Sequence, residues 1–275
     1  MAGCTRIEIP SELVSFFREL YEAHCAAAGE AAITVGNTEN LREKQLAEAV
    51  PLIDLCPPTI SPDQYMQQFR QTGAVLVRHR SEKEVGVSDA VEVLQGSDLS
   101  KLIRDLCQRD NSYMAQLVEK AKDGAVLQFV AENALKPFLM AFSSQVKDCI
   151  DRERWGRFHC PACGRTSNFS RLQAEDGRRL MYCQYCGLEW NSRYLGCSRC
   201  GNDDHKSLSY LTPEDSPALQ VFVCKKCKGY LKTYDERKGK DCPELALADI
   251  LTLHLDLLAE REGYSNQVTV VSGLH

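Results

Sequence analysis

Apolar residues recur at helical spacing through the first half of the chain. Leu13, Phe16 and Leu20, for example, fall on one side of a helix with 3.6 residues per turn. Further stretches of this kind cover residues 40–55, 62–79, 84–109, 112–124 and 125–150. The pattern predicts an all-α domain over residues 1–150, with the last helix kinked or divided at Pro137.

Residues 159–235 carry a different pattern. Aromatic and β-branched residues stand in short runs such as LMYC, LQVFVC and GYLKTY, which are typical of β-hairpins. Helical spacing returns after Cys242, through Leu245, Leu251 and Leu255, and residues 265–275 are expected to form a tail. The chain is therefore predicted to be an α+β protein.

Fourteen cysteines are many for a chain of 275 residues. Eight of them form Cys-x-x-Cys pairs, a spacing that lets two thiolates face one cation. The pairs are Cys160/Cys163, Cys183/Cys186, Cys197/Cys200 and Cys224/Cys227. The other six stand singly and are interpreted as buried or incidental thiols: Cys4, Cys25, Cys56, Cys107, Cys149 and Cys242.

The intervals between successive pairs are 19, 10 and 23 residues. The two longer intervals have room for a β-hairpin between two metal-binding turns, whereas ten residues suit a single connecting strand. This favours sequential pairing: Cys160, Cys163, Cys183 and Cys186 bind one metal, and Cys197, Cys200, Cys224 and Cys227 bind another. Interleaved pairing is the alternative.

Each set of four cysteines is predicted to form a rubredoxin-like or zinc-ribbon unit. Four thiolates complete a tetrahedral site and leave no position for water, so the site is structural or transfers electrons and is not a Lewis-acid catalyst. Zn and Fe ions both accept this ligand set. The predicted units are an N-terminal helical domain, two tandem ribbons and a C-terminal helix with its tail: 1–150, 151–195, 196–241 and 242–275.

Charge narrows the function classes. The chain carries a formal net charge of −5, but residues 151–242 hold 17 Lys/Arg against 12 Asp/Glu. A basic ribbon segment suggests nucleic-acid binding as an alternative, which the acidic whole chain and the absence of a dense basic stripe disfavour. No paired carboxylates, phosphate-binding glycine loop or nucleophile motif stands out, so no catalytic residues are predicted. We expect a protein that is not an enzyme.

Targeting signals are not evident in the sequence. No apolar run approaches the roughly 20 residues of a membrane span, and the N-terminal MAGCTRIEIPSELVSFF lacks the order of a signal peptide. We therefore expect a cytoplasmic protein without a membrane partner, whose regularly spaced cysteines bind metal and do not form disulfides or redox-active dithiols.

The order of the motifs resembles the formate dehydrogenase accessory protein family, FdhE. The resemblance rests on CPACG, then YCQYCGLEW, CSRCG and VCKKCKGYLKTY, and on the closing LADILTLHLDLLAEREGY. It is specific from about Trp155 to Tyr264 and general over the helical half. One departure is CKKCKG, in which the glycine comes one position later than in the other three turns.

The resemblance implies a non-catalytic maturation chaperone. Such a protein contacts the catalytic subunit of formate dehydrogenase, a molybdenum or tungsten enzyme often containing selenocysteine, before assembly or export. The family is associated with rubredoxin-like iron, and zinc is possible, so two Fe or Zn ions are expected. A rubredoxin-like redox protein is a further alternative.

Residues within the resembling motifs are candidate partner contacts. The alternative for Trp190 is that it packs between the ribbons. The alternative for Arg193 is that its charge balances the charge of the thiolates. For the other candidates, the alternative is packing within a strand or a position on a solvated face. Asp249 and Asp256 are expected on one face of one helix, since they lie seven residues apart. The candidates are Glu189, Trp190, Arg193, Tyr230, Lys232, Asp249, Asp256 and Tyr264.

Overall fold

The structure is a computed structural model, and it describes residues 9–193, 195–214 and 216–266. Most of the predicted tail and Cys4 lie outside these residues. The N-terminal helices are α1 (Ser11–Glu30), α2 (Leu41–Glu48), α3 (Leu52–Leu55), α4 (Pro62–His79), α5 (Glu84–Gln95), α6 (Leu99–Gln108), α7 (Ser112–Val118) and α8 (Gly124–Val146). Two short strands, β1 (Ile33–Thr34) and β2 (Thr59–Ile60), pair antiparallel among them.

Helix α8 is the centre of the helical part. It packs against α1, α4, α5, α6 and α7, so apolar side chains are buried around most of its circumference. The Tyr65 hydroxyl of α4 donates to the Ala131 carbonyl of α8 at 2.9 Å. Pro137 lies inside α8, which continues through it as one helix, and the predicted division is therefore wrong. The buried contacts of Phe138 and Leu139 on that turn offset the hydrogen bond that proline cannot make.

The second part of the chain builds one six-stranded sheet. Its strands are β3 (Phe169–Leu172), β4 (Arg179–Tyr182), β5 (Glu189–Ser192), β6 (Leu208–Leu211), β7 (Leu219–Cys224) and β8 (Tyr230–Asp235). Their spatial order is β5-β4-β3-β8-β7-β6, and every neighbouring pair is antiparallel except β3 and β8. The parallel β3–β8 pair, with Phe169 opposite Lys232, joins the two predicted ribbons into one sheet.

The C-terminal helices cover one face of the β7–β8 half of this sheet. Val221 and Val223 of β7 pack against Leu255 and Ala259. The helical segment is divided into α9 (Ala248–Leu251) and α10 (Leu253–Arg261), not one helix as expected. The buried Thr252 lies at the break and donates its hydroxyl to the Ala248 carbonyl at 2.6 Å, an interaction that bends helices.

One hydrophobic core runs from the helices into the first ribbon. The same cluster of buried side chains contains Phe142 of α8, Trp155 of the linker, Trp190 of β5 and Leu231 of β8. The Trp155 indole N–H donates to the His159 carbonyl at 2.8 Å, which fixes the linker on the ribbon. The observed succession of helices, β region and C-terminal helices confirms the predicted fold class. The unit boundaries stay predictions, and the sheet continues across the boundary at 195/196.

Within the described residues, no helix has the length and apolar character needed to cross a bilayer.

Candidate metal centres

The first centre lies at the junction between the helices and the sheet. The sulfur atoms of Cys160, Cys163, Cys183 and Cys186 all lie within 4.8 Å of one another, and all four residues are buried. Cys160 Sγ is 3.5 Å from Cys186 Sγ, and Cys163 Sγ is 3.4 Å from Cys183 Sγ.

The second centre lies at the end of the β7–β8 hairpin and is more open. It contains Cys197, Cys200, Cys224 and Cys227, with sulfur separations of 3.5 Å between Cys197 and Cys227 and 3.9 Å between Cys200 and Cys224. Cys227 is exposed and Cys200 is half-buried. The grouping is the sequential one, because the hairpins β3–β4 and β6–β7 return the chain to its own starting turn.

Both sulfur sets fit a tetrahedral ion. Metal–sulfur bonds of about 2.3 Å in a tetrahedron place the sulfurs about 3.8 Å apart, close to the separations in both centres. The eight cysteines can therefore hold two metal ions. The ligand set does not distinguish Fe from Zn.

All four metal-binding turns have the same backbone. The residue after the second cysteine has a positive φ in each: 72° at Gly164, 72° at Gly187, 69° at Gly201 and 60° at Lys228. Each of these residues donates its N–H to the carbonyl of the first cysteine, at 2.9 to 3.0 Å. The CKKCKG departure therefore leaves the turn unchanged and places a lysine in the left-handed region that glycine occupies elsewhere.

The thiols of the first centre differ in the direction in which their pKa values are shifted. Burial and hydrogen bonds with the other thiols raise the pKa of Cys160 well above its ordinary value. Burial alone would also raise the pKa of Cys183, but hydrogen bonds from Cys160, Cys163 and Cys186 lower it well below that value. A cation bound here displaces the remaining protons, since thiolates are the binding form, so affinity falls at low pH.

Helix α3 seats the first metal-binding turn. The N–H groups of Leu52 and Ile53, which have no partner inside their helix, donate to the carbonyls of Pro161 and Ala162 at 2.8 and 3.0 Å. Arg109 adds a hydrogen bond to the Cys163 carbonyl at 3.2 Å. The first centre is thus built into the helical part, whereas the second lies at the end of the β7–β8 hairpin.

Known proteins resemble this chain in sequence and in fold. A family model described as "FdhE, C-terminal domain" matches residues 195–271. A "Protein FdhE homolog" from Aquifex aeolicus is 26% identical over 259 residues, which cover 92% of this chain and 86% of that protein. The crystal structure of the FdhE protein from Pseudomonas aeruginosa superposes with a TM-score of 0.58 at 21% identity, over 92% of this chain and 84% of that one.

These comparisons support a relationship to the FdhE family. A second FdhE homolog, from Stutzerimonas stutzeri, is 36% identical over 120 residues. That match covers 42% of this chain and 38% of the relative, so it spans well under half of that protein's length. The likeness to the Pseudomonas aeruginosa structure shows that the FdhE fold is shared.

The three candidates on or directly after strand β5, which are Glu189, Trp190 and Arg193, occupy different environments. Trp190 is 1% exposed, and its indole N–H donates to the Arg157 carbonyl at 2.8 Å. Glu189 is half-buried and accepts from Arg171 Nε at 2.9 Å, while Arg193 is exposed. Trp190 therefore packs in the core and has almost no surface to offer a partner; a contact role for Glu189 and Arg193 stays a prediction.

Four of the other candidates form a single network. Lys232 is fully buried, and its ammonium lies 2.5 Å from Asp249 Oδ1 and 2.8 Å from Asp256 Oδ2. The Tyr230 hydroxyl donates to Asp256 Oδ1 at 2.6 Å. Burial raises the pKa of the Asp256 carboxyl, although the Lys232 ammonium and the Tyr230 hydroxyl oppose that rise. This network joins β8 to both C-terminal helices, because Asp249 lies in α9 and Asp256 in α10, on either side of the break at Thr252.

Tyr264 lies beside the fourth metal-binding turn. It is half-buried, and the Lys228 ammonium lies 5.4 Å from its ring centre. The backbone N–H of Ser265 donates to the Lys228 carbonyl at 2.8 Å. The end of the described chain is therefore attached to the second centre, and a partner contact by Tyr264 stays a prediction.

Two network residues were missed by the sequence patterns. Asn168 donates to Asp249 Oδ2 at 3.4 Å and accepts from Arg199 Nη2 at 2.8 Å. Arg199 lies between the two cysteines of CSRCG, so it links the second centre to the Lys232 network. The position of Arg199 inside a metal-binding turn was the sequence feature that could have indicated a role for it. The direction of its side chain, however, depends on the pairing of β3 with β8.

Proposed function

We propose that this protein is a cytoplasmic maturation chaperone that binds the catalytic subunit of a formate dehydrogenase before assembly or export. Similarity to the FdhE family supports an accessory role in formate dehydrogenase maturation. The proposed partner is a molybdenum or tungsten enzyme.

The observation that carries this proposal is the pair of four-cysteine centres within one continuous sheet. A closed set of four thiolates leaves no open position for substrate, so the centres shape a surface and do not catalyse a hydrolysis. The first centre fixes the sheet on the helices, and the second supports the β7–β8 end. A rigid surface of this kind suits the binding of another protein, and we assign no catalytic residues to it.

Affinity purification from the native host under anaerobic conditions tests the proposal. We expect the tagged protein to retain the catalytic subunit together with two equivalents of Fe or Zn. The Cys197→Ser/Cys224→Ser variant, which removes half of the second centre's ligands, should retain less of the subunit. Cys25→Ser, at an exposed single cysteine, is the matched control and should behave as the parent. Purification without any formate dehydrogenase subunit would refute the proposal.

Single-electron transfer is a second candidate, favoured by the exposure of the second centre. Iron in four thiolates cycles between two oxidation states, and Cys227 is exposed, so an electron donor can approach closely. Visible absorption that bleaches reversibly with dithionite would support this role. Zinc in both centres of anaerobically purified protein would rule it out.

A further inference from the structure

A small cavity of about 50 Å³ lies where α1, α8 and the second metal-binding turn meet. His24 of α1, Lys136 of α8 and Gln184 of the turn line it, and none of the eight metal-binding cysteines does. A water molecule needs about 10–15 Å³ of such space, so the cavity has room for a molecule of about four non-hydrogen atoms. We refer to it as the Lys136 cavity.

Three polar groups that line this cavity have no hydrogen-bond partner among the described residues. The Lys136 ammonium makes no hydrogen bond or ion pair there and lies 5.4 Å from the centre of the Tyr185 ring. The Nε2 atoms of His24 and Gln184 are buried and unpaired. Because Gln184 Oε1 accepts from the Asn168 N–H at 3.3 Å, the unpaired atom of this amide is its nitrogen, which is a donor.

The charge of Lys136 is not balanced by the walls of the cavity. Among the described residues that line it, none is an aspartate or a glutamate. Burial lowers the pKa of Lys136 to about 8, although the negative charges of Cys183 and Glu132 oppose that change. The side chain is still protonated at neutral pH, so a cation is buried beside two other unpaired groups. This burial costs free energy, which an anion that accepts hydrogen bonds would recover.

A groove that is open to solvent leads to the cavity. The groove has a volume of about 530 Å³, and Lys147 and Arg152 line it. Its one carboxylate among the described residues, that of Glu244, is paired with Arg18 at 2.7 Å. An anion would therefore meet cations along this path. The residues that line both the groove and the cavity are Tyr21, Met140, Tyr182, Gly187 and Ala246.

We propose that the Lys136 cavity binds a carboxylate group. Lys136 and Gln184 donate to its oxygens, and neutral His24 donates from Nε2 in the tautomer that carries the proton there. A free acetate-sized ion and the aspartate side chain of a partner both present two carbons and two oxygens, so both fit the cavity. The site does not depend on the proposed function, because it is built from residues of this chain and is tested without a partner protein.

Carbon-13 NMR of carboxyl-labelled acetate tests the site in the full-length, metal-loaded protein. Line broadening during the titration gives the dissociation constant, and acetamide is the neutral control. We expect acetate to bind with a dissociation constant of about 1 mM or below, and acetamide at least about tenfold more weakly. Equal affinity for acetate and acetamide, or no acetate binding up to about 10 mM, would overturn the proposal and leave the cavity to water.

A blocked aspartate, N-acetylaspartate N-methylamide, distinguishes the two sources of the carboxylate. If it binds as tightly as acetate, the site takes an aspartate side chain of a partner that enters through the groove. If it is excluded while acetate binds, the site takes a free ion.

Protein variants locate the binding. Lys136→Met removes the ammonium and keeps an unbranched stem, so it should weaken acetate binding at least about tenfold without lowering the Tm in chloride. Lys120→Met, at an exposed lysine that does not line the cavity, should bind acetate as the parent does. Gln184→Glu keeps the oxygen that Asn168 binds and places a carboxylate in the cavity, so it should abolish acetate binding.

Metal content distinguishes this site from a counter-ion of the first centre. If Lys136 served only to balance the thiolate charge, Lys136→Met would lose the metal of that centre. We expect Lys136→Met and Gln184→Glu both to retain two equivalents of metal. Unchanged acetate affinity in Lys136→Met, or loss of metal from that variant, would overturn the proposal. If Lys136→Met does not fold, acetate binding that persists in Gln184→Glu would overturn it as well.

Discussion

Lys232 offers the sharpest test of how the C-terminal helices are held. Its side chain is fully buried, and its ammonium donates to the Asp249 carbonyl at 2.7 Å in addition to its two carboxylate partners. The Lys232→Met substitution keeps an unbranched stem of similar length and removes the charge. Asp249 and Asp256 then face each other beneath the sheet without their cation.

The expected cost follows from the exposure of the two carboxylates. Removing one partner of a buried ion pair destabilises proteins by about 3–5 kcal/mol. The side chains of Asp249 and Asp256 are 35% and 22% exposed, so water replaces part of the lost interaction. We therefore expect a loss near the lower end, about 3 kcal/mol, equivalent to roughly 6–12 °C in Tm for a chain of this size.

Thermal unfolding followed by circular dichroism measures this change, with metal content as a check that both centres remain loaded. Lys240→Met, at an exposed lysine, is the matched control and should shift the Tm little. Lys232→Met/Asp256→Asn should recover part of the loss, because it also removes one uncompensated charge. A loss in Lys232→Met no larger than that in the control would refute the reasoning.

Three further changes have defined outcomes. Gly187→Ala should lower the stability measured by thermal unfolding by about 1 kcal/mol, because φ is +72° there and no atom crowds the new Cβ. Lys228→Gly, at φ +60°, should not destabilise the protein, and equal effects of the two substitutions would contradict the conclusion that both turns have the same backbone. Burial lowers the pKa of His24 to about 3, so the unfolded state takes up a proton below pH 6.5 that the native state does not bind. His24 should therefore contribute about 2 kcal/mol to the loss of stability between pH 6.5 and 5, and His24→Leu but not His205→Gln should reduce that slope in urea titrations by this amount. A chelator should remove the metal of the second centre before that of the first, because Cys227 is exposed. A metal indicator should show two phases of release, of which the faster is absent in Cys227→Ser, and a single phase would contradict this order.

The centres themselves were predictable because their formation is local. Intervals of 19 and 23 residues leave room for hairpins, and the structure forms those hairpins at β3–β4 and β6–β7. The glycine that follows three of the four turns also agrees with local geometry, and Lys228 shows that the fourth turn tolerates a side chain at this position. Short-range closure and chelate geometry need no knowledge of distant residues.

The surroundings of the centres could not be predicted, because they depend on contacts between distant parts of the chain. The parallel pairing of β3 with β8 brings Asn168 to Asp249 and Arg199. The same sheet buries Trp190, which sequence alone left divided between partner contact and packing. Nothing in the spacing near Leu52 indicates that α3 seats the first centre.

The amino-acid sequence by itself determined the fold class, the two four-cysteine sets and their sequential grouping, because periodicity and ligand spacing act over a few turns or one hairpin. The tertiary structure decided which residues serve the fold and which remain on the surface. It placed Lys232 in a buried ion network and Gln220 beside an open cavity, although both alternate with apolar residues in similar strands. The physical reason is that strand alternation assigns two faces, whereas only packing determines which face the helices cover.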